Sequence, residues 1–403
     1  MTFSPHQLGH QIATVSKTQY YEQKLGNATV KVKRAILNHD NDTEIRDIDP
    51  VGTPAFGSSV DFLLNDRGFN LTSIGVRMNL GALTSGWSGG SFDRLGPLLG
   101  CIIQRVEIYA NDGSVQLQVI DGQALTVLDE LYYGDQDSAI YAAAAVPASA
   151  GAVDLMTPLP TFLDSMTAGL PLYALQGAIR IRITLRNLRD SIVHDRTTTT
   201  ATPTCAITNF QLRLHLENPP LSAKQTILNA HAGNNPVAYR ASFPVVSNID
   251  ITNGSTTPSK QLTSVIGPIT HMCFYVQPQA TPIQNQLLIA NAVALTSFEL
   301  KSSTGEQLTG KSPVSDRTCR LYLMPTNWKF KGDGYRTQNI YAYSWAEDPQ
   351  DTFELGNNSG NHMFSGSETF TLNYATIGQA SQCAVIQYQL RWIEIQRGQI
   401  KVL

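Results

Sequence analysis

The stretch between residues 155 and 187 constrains the fold of this chain more than any other. Its second half alternates isoleucine and leucine with arginine and threonine from Ile179 to Arg186, so one face is apolar and the other cationic. A period of two is typical of a half-buried β-strand. Its first half contains Pro158, Pro160 and Pro171, and each proline fixes φ and lacks a backbone donor. The stretch therefore predicts a strand introduced by a rigid apolar loop, as in an all-β protein with buried corners.

The rest of the chain repeats short strands between Gly, Asn and Pro turns. Strands are predicted at 60–64, 74–80, 101–110, 115–120 and 210–216, and then at 241–246, 272–277, 297–300, 320–324, 340–345, 369–374 and 384–395. Helical spacing is confined to 123–133, with Asp121 as a candidate N-cap, and to a short segment at 222–230. Many short strands with few helices indicate sandwiches or barrels.

Turn residues and an internal repeat divide the chain. Residues 1–40 form a polar arm that either reaches a neighbouring subunit or is a loosely ordered terminus. Asn218, Pro219 and Pro220 end the strand at 210–216, because proline cannot extend a central strand. Residues 105–117 and 297–308 share an apolar-Glu-apolar strand, a glycine turn and a glutamine. We expect a first β domain at 41–218, a linker at 219–239 and a second β domain at 240–403.

The composition excludes some classes of function. Only 15% of the residues are charged, the net charge is −3 and there is no basic tail, so non-specific duplex binding is not expected. Such a low share of charged residues is compatible with a surface hidden by subunit contacts. It is equally compatible with a surface rich in neutral polar residues. The five cysteines are scattered and odd in number, which indicates free thiols and a reducing compartment. The sequence shows neither a signal peptide nor an apolar run approaching the length of a membrane span.

Residues 305–312 match the phosphate-binding loop pattern G-x-x-x-x-G-K-[ST]. That loop requires a parallel strand before it and a helix after it, so that backbone N–H groups and the lysine point at phosphates. Here Pro313 follows at once and the next residues lack helical spacing. We interpret the segment as a polar hairpin turn.

Residues 86–90 match the G-x-S-x-G pattern of a nucleophile elbow. The elbow requires an apolar strand that ends at the serine and a helix that leaves it. The flanking residues are serine, threonine and glycine, so an open loop is expected and no catalytic residue is assigned.

No metal or cofactor site is predicted. Asp40, Asp42, Glu44, Asp47 and Asp49 supply oxygen ligands, but they lack the glycine and the bidentate glutamate of a calcium loop. We expect a solvated acidic loop there. The eight histidines include no His-x-His and no His-x-x-x-His, so zinc and iron sites have no support.

The residues at 158–163, PLPTFL, and at 169–176, GLPLYALQ, followed by the alternating strand, resemble the double jelly-roll major capsid proteins of icosahedral DNA viruses. Residues 96–108, 341–372 and 388–398 are similar to further stretches of that family, in the same order. Two positions depart from its pattern, because Asn358 stands where the family usually has proline and Met363 where it has asparagine.

The resemblance implies a non-enzymatic structural protein of two consecutive eight-stranded jelly rolls. It implies a homotrimer with a near-hexagonal outline that builds the capsid lattice of a virion. Penton and minor capsid proteins are implied as partners, and the resemblance leaves open whether the capsid encloses an internal membrane. Assembly is expected inside the host cell. The residues expected to form a rigid apolar corner or a subunit interface are Pro158, Leu159, Pro160, Phe162, Leu163, Leu170, Pro171 and Leu172.

A β-sandwich that binds or cleaves glycans is the alternative from another class. It requires a cluster of exposed aromatic side chains or two facing carboxylates. The four tryptophans, Trp87, Trp328, Trp345 and Trp392, are dispersed along the chain. The sequence therefore favours the capsid hypothesis over the glycan hypothesis.

Overall fold

The computed structural model describes residues 19–25, 28–34, 42–65, 68–96, 98–132, 153–166, 169–232, 237–279, 293–309, 314–315, 340–346, 360–374 and 379–403. All strand pairs among these residues are antiparallel, apart from an isolated bridge between Leu99 and Ile103. Among the same residues, no helix has both the length and the apolar character that crossing a membrane requires. The expected all-β class is confirmed.

The first half of the chain forms a sandwich of two sheets. The elements in this half of the chain are β1 (Gln19–Leu25), β2 (Ala28–Arg34), β3 (Asp42–Ile48), β4 (Ser59–Leu64), β5 (Asn70–Leu80), β6 (Asp93–Leu95), β7 (Ile103–Ala110), β8 (Val115–Asp121), α1 (Gly122–Tyr132), β9 (Val153–Pro158), β10 (Leu170–Pro171), β11 (Ile179–Leu185), β12 (Ile192–His194) and β13 (Ile207–Asn218). Of these, β1 and β2 join a sheet of the second sandwich. One sheet has the order β10-β5-β13-β3, with β9 also beside β5, and the other has the order β4-β11-β7-β8. Phe62 and Phe210 meet edge to face between these sheets, with ring centroids 5.5 Å apart.

The second half forms another sandwich after a connecting helix. Its elements are α2 (Leu221–Ala232), β14 (Val237–Ile251), β15 (Ser259–Gln261), β16 (Ile266–Pro278), β17 (Ser297–Lys301), β18 (Val314–Ser315), β19 (Tyr341–Ser344), β20 (His362–Ser365), β21 (Thr369–Asn373), β22 (Ser381–Gln396) and β23 (Gln399–Val402). The large sheet runs β19-β16-β22-β14-β1-β2, with β20 beside β16 and β23 beside β22. The small sheet runs β15-β21-β17-β18. Phe274 of the large sheet packs edge to face on Phe298 and Phe370 of the small one.

The strands at the centres of the sheets follow the predicted pattern. Along β11 each isoleucine and leucine is buried and the residues between them are partly exposed. β13 buries Phe210, Leu212, Leu214 and Leu216 in the same way. The predicted helices at 123–133 and 222–230 coincide with α1 and α2. The strand predicted at 320–324 and the rest of the segment 316–339 lie outside the described residues.

The N-terminal segment was expected to act as an arm. Its described part, β1 and β2, forms an antiparallel hairpin at the edge of the large sheet of the second sandwich, where Glu22 lies opposite Ala238 of β14. These strands therefore pair with their own chain. The division into folding units at 41–218, 219–239 and 240–403 stays a proposal; β14 begins inside the expected linker.

Residues 305–309 belong to a turn that follows β17. Gly305 has a φ of +82° and donates its N–H to Ser302 O at 3.0 Å, and Ser302 N donates to Glu306 O at 2.8 Å. β18 then pairs antiparallel with β17, which is the arrangement of a hairpin and differs from the strand and helix of a phosphate-binding loop. Lys311 and Ser312 lie outside the described residues.

The G-x-S-x-G segment is a loop, as expected. Gly86 and Gly89 have φ values of +65° and +80°, and Ser88 exchanges backbone hydrogen bonds with Thr198. Trp87 is buried, and its indole N–H donates to Ala201 O at 2.8 Å. The segment therefore anchors one loop against another.

The expectation of a solvated acidic loop is wrong for residues 42–48, which form β3 at the edge of a sheet. Arg213 of β13 makes two hydrogen bonds of 2.8 Å to the Asp47 carboxylate. Arg46 likewise pairs with Glu44. Asp47 therefore accepts from an arginine of the neighbouring strand β13, and Glu44 accepts from an arginine of its own strand. Asp40 lies outside the described residues.

Candidate functional site: the joint between the two sandwiches

The corner, residues 158–172, starts where β9 ends. Pro158 lies opposite Gly75 of β5, and Leu159 N donates to Ile74 O at 2.9 Å. Pro158 therefore closes a strand, an end position at which a missing N–H does not interrupt the pairing. A single 3₁₀ turn, Phe162–Ser165, follows, and Asp164 accepts a hydrogen bond of 2.8 Å from Thr161 N at its start. Local capping thus fixes the direction in which the turn presents Phe162.

The corner returns to the sheet through a glycine. Gly169 has a φ of +63°, and a Cβ there would lie 2.8 Å from Leu71 O, so any other residue would be strained and crowded. The next two residues form β10, in which Leu170 lies opposite Leu71. Leu172 N then donates to Phe69 O at 3.0 Å. Both ends of the corner are therefore tied to the region around β5.

The middle of the corner contacts the second sandwich. Phe162 stacks on Phe243 of β14, with ring centroids 4.8 Å apart and an interplanar angle of 13°. Ser242 N donates to Ser165 Oγ at 2.8 Å. Phe162 N is itself held by Gln118 Oε1 of β8 at 3.2 Å. We call this contact between the corner and β14 the joint, because it packs one sandwich on the other within the chain.

The structure brings together the eight residues expected at a corner or interface. Seven are buried and one, Pro158, is exposed; the buried ones are Leu159, Pro160, Phe162, Leu163, Leu170, Pro171 and Leu172. Their neighbours named above belong to the same chain. Direct contact of these side chains with another subunit stays a prediction.

A second contact between the sandwiches involves the C-terminal hairpin of β22 and β23, for which the sequence predicts no role. Asn111 donates its Nδ2 to Ile400 O and accepts from Ile400 N at its Oδ1, both at 3.0 Å. Gln176 N donates to Gly398 O at 3.0 Å, and Gly398 has a φ of +76°. The available signal was the pair Arg397 and Gly398, which follows the strand predicted at 384–395.

The helix α2 meets the same hairpin. His231 is buried at the end of α2. Its backbone oxygen accepts a hydrogen bond of 3.1 Å from Arg397 N, and its Nε2 lies 3.2 Å from the Tyr239 hydroxyl. Burial lowers the pKa of His231 below its usual range. The connection between the sandwiches is therefore packed around a neutral histidine.

Metal binding and thiol chemistry have no support among the described residues. These residues contain no cluster of three or more His, Cys, Asp or Glu that could hold a metal. Cys101, Cys273 and Cys383 are buried free thiols, and burial raises the pKa of Cys101 to about 12. A thiol with a raised pKa is a poor nucleophile.

The glycan-binding alternative requires exposed aromatic side chains. Among the large hydrophobic side chains that are exposed in the described ranges, Phe92 is the one aromatic ring. Trp87 is buried, and Trp345 and Trp392 are partly buried in or beside strands. The described surface therefore offers no aromatic platform for a sugar.

Three exposed apolar side chains lie near the start of β16. Ile266 and Met363 are 65% and 64% exposed and lie on the neighbouring strands β16 and β20, where Met363 is opposite Pro268. Leu403 is 44% exposed and lines one groove together with Ile266. We call Ile266, Met363 and Leu403 the apolar patch; exposed apolar clusters of this kind mark contact surfaces.

Comparison with solved structures identifies the arrangement of the two sandwiches. The capsid of the virus PBCV-1 superposes with a TM-score of 0.66 at 14% identity, over 91% of this chain and 98% of that one. The Faustovirus major capsid protein gives a TM-score of 0.68 at 9% identity, over 88% and 90% of the two chains. The structure of Sulfolobus Turreted Icosahedral Virus gives 0.52 at 14% identity, over 86% and 90%.

The chain has the double jelly-roll fold. Neither a protein-family model nor a curated protein matches the sequence. The double jelly-roll proteins named above are capsid components, and the superposition covers both sandwiches in each case. The resemblance of residues 158–185 to that group is therefore matched by the fold.

Proposed function

We propose that this chain is the major capsid protein of an icosahedral DNA virus and that it assembles as a homotrimer. The observation that carries the proposal is the match of both sandwiches, in one chain and in order, to capsid proteins over about nine-tenths of each chain. Three copies of a double jelly roll place six similar β domains around one axis, which gives the trimer a near-hexagonal outline. Jelly rolls close most of their strand edges, so loops and side-chain patches make the contacts.

The apolar patch supports the trimer. Burying Ile266, Met363 and Leu403 removes exposed apolar surface from water, which is the main driving force of subunit association. The free buried thiols fit assembly inside the host cell, in a reducing compartment, followed by residence in the virion capsid. Penton and minor capsid proteins are the further partners of this proposal.

The test uses the full chain. Light scattering coupled to gel filtration is expected to give three times the mass of the chain, and negative-stain images are expected to show a near-hexagonal particle. Substitutions Ile266→Lys and Met363→Lys are expected to shift the trimer to monomers, because they bury a charge in the interface. Leu228→Lys, on the exposed face of α2, is the matched control and is expected to stay trimeric.

A monomer at every concentration would contradict the trimer. If both lysine variants remain trimeric, the proposed assembly stands, but the subunit interface lies outside the apolar patch. Circular dichroism of each variant separates loss of assembly from loss of folding.

A further inference from the structure

A polar cleft lies between the two sandwiches, away from the corner and the apolar patch. Its volume is about 280 Å³. The first sandwich contributes Asp121 and Arg186, together with the start of helix α1, and the second contributes Asn248 and Gln277. The capsid function proposed above gives this cleft no role.

Arg186 brings to the cleft a positive charge that forms no ion pair among the described residues. Its Nε donates to Gly100 O at 3.0 Å, and no carboxylate of the described residues forms an ion pair with it. Burial lowers the pKa of the Arg186 guanidinium, and Cys101, Asp190 and Asp121 offset only part of this effect. A partly buried guanidinium that bonds only a neutral oxygen retains donors for an anion.

Gln277 supplies a second donor from the opposite wall. The residue is 8% exposed, it lines the cleft, and its amide nitrogen is buried without a hydrogen-bond partner. A buried amide without a partner costs free energy unless something in the cleft accepts from it. An oxygen-bearing ligand in the cleft would satisfy this group.

Helix α1 points its N-terminus at the same space. It begins at Gly122, and Gln123 and Ala124 in its first turn line the cleft. The N-terminal end of an eleven-residue helix carries partial positive charge, which stabilises an anion placed there. The helix, the guanidinium and the buried amide therefore reach the cleft from three separate elements.

We propose that the inter-sandwich cleft binds a phosphate-type oxyanion between Arg186, the N-terminus of α1 and the Gln277 amide. The chemistry is shared by free inorganic phosphate and by the phosphate group of a monoester. Asp121 opposes the anion, because its carboxylate lies on the same wall and its Oδ1 is 3.5 Å from Arg105 Nε. Because its ligands come from both sandwiches, the bound group ties them together and stabilises the folded chain by linkage.

The experiment measures thermal unfolding and calorimetric binding of the full chain with inorganic phosphate and, separately, with adenosine monophosphate. Sodium chloride at equal ionic strength is the reference. If phosphate produces a saturable rise in the unfolding midpoint, the ligand of the cleft is the free ion. If only the nucleotide produces such a rise, the ligand is a phosphate monoester. A rise that sodium chloride reproduces overturns the proposal.

Three substitutions locate the effect. Arg186→Gln is expected to weaken binding about tenfold or more, since it removes charge-assisted bonds, and Gln277→Met is expected to weaken it about fivefold. Asp121→Asn is expected to tighten binding. Arg189→Gln is the matched control, because Arg189 is exposed and donates to Thr199 O at 2.9 Å, outside the cleft.

Unchanged phosphate affinity in both Arg186→Gln and Gln277→Met would overturn the assignment of the cleft. If Arg186→Gln does not fold, Gln277→Met and Asp121→Asn decide the question by themselves. Weaker phosphate binding in the first variant and tighter binding in the second support the site, whereas the same change in affinity in both contradicts it.

Discussion

In the first sandwich, β11 buries alternate residues and leaves those between them partly exposed, whereas in the second sandwich ten consecutive residues of β16, from Ile269 to Pro278, are buried. β22 likewise buries eight residues in a row, from Cys383 to Leu390. The outer side chains of the first sandwich pair as ions, such as Arg182 with Asp61. Those of the second include fully buried His271 and Gln387. The outer face of a central strand thus meets solvent in the first sandwich, whereas it meets protein in the second.

The contrast explains how two copies of one β fold differ in a single chain. The first sandwich keeps a polar outer face because water solvates it. The large sheet of the second is covered on both faces, and its polar side chains must find partners inside the protein. Substitutions in the two sandwiches should therefore differ in cost, and the following predictions run from the largest effect to the smallest.

The joint is the place where both sandwiches depend on each other, and Phe162→Ala removes its central ring. We expect a loss of about 3–5 kcal/mol in the free energy of unfolding, because a fully buried phenylalanine leaves a cavity. Denaturant unfolding measures the loss. In a double-mutant cycle with Phe243→Ala, the stacked pair should show a coupling of about 0.5–1.5 kcal/mol. Additive losses would show that the rings contribute burial alone.

Gln387→Glu places a charge inside the second sandwich with almost no change in shape. The Gln387 amide donates to Val245 O at 2.9 Å and to Val385 O at 3.2 Å, so a carboxylate would face two acceptors. We expect a loss of about 3 kcal/mol or more. Gln116→Glu, at an exposed position of β8 in the first sandwich, is the control and should change stability by less than about 0.5 kcal/mol. Equal losses would contradict the contrast between the sandwiches.

Acid should weaken the second sandwich, because its large sheet contains the fully buried His271. Burial holds the pKa of His271 well below 6.5, so below pH 6.5 the unfolded chain binds a proton that the folded chain does not. The free energy of unfolding then falls as the pH drops, by up to about 1.4 kcal/mol per pH unit. His271→Phe, which keeps a ring against Tyr388, should flatten this dependence in fluorescence-detected unfolding. A dependence that the variant retains in full would assign the effect to another group.

In the first sandwich, Asp47→Asn should cost about 1 kcal/mol near neutral pH, because Asp47 and Arg213 are only partly buried. The Arg213 hydrogen bonds hold the pKa of Asp47 below 3.8, so its contribution is present above that value and disappears as the pH falls through the folded pKa. Unfolding of wild type and variant should therefore differ at pH 7 and converge in strong acid. A difference that persists in strong acid would indicate packing as its source.

The joint shows how far the sequence could predict the candidate site. Prolines at 158, 160 and 171 and the apolar residues between them predicted a rigid buried corner, since their effect is local. Phe243 as the partner of Phe162 could not be predicted, because it lies on β14, far along the chain. Asp47 was assigned to an acidic loop for the same reason, since its partner Arg213 lies on β13, far along the chain.

The sequence by itself determined the strand-rich class, the alternating strands β11 and β13 and the hairpin nature of residues 305–309, because side-chain period and turn chemistry act over a few residues. Only the tertiary structure decided which sheet is buried on both faces, which arginines pair with carboxylates and which residues join the sandwiches. Burial on the second face of the large sheet depends on what packs against it, and polar residues such as His271 and Gln387 show no sign of that burial in their own pattern.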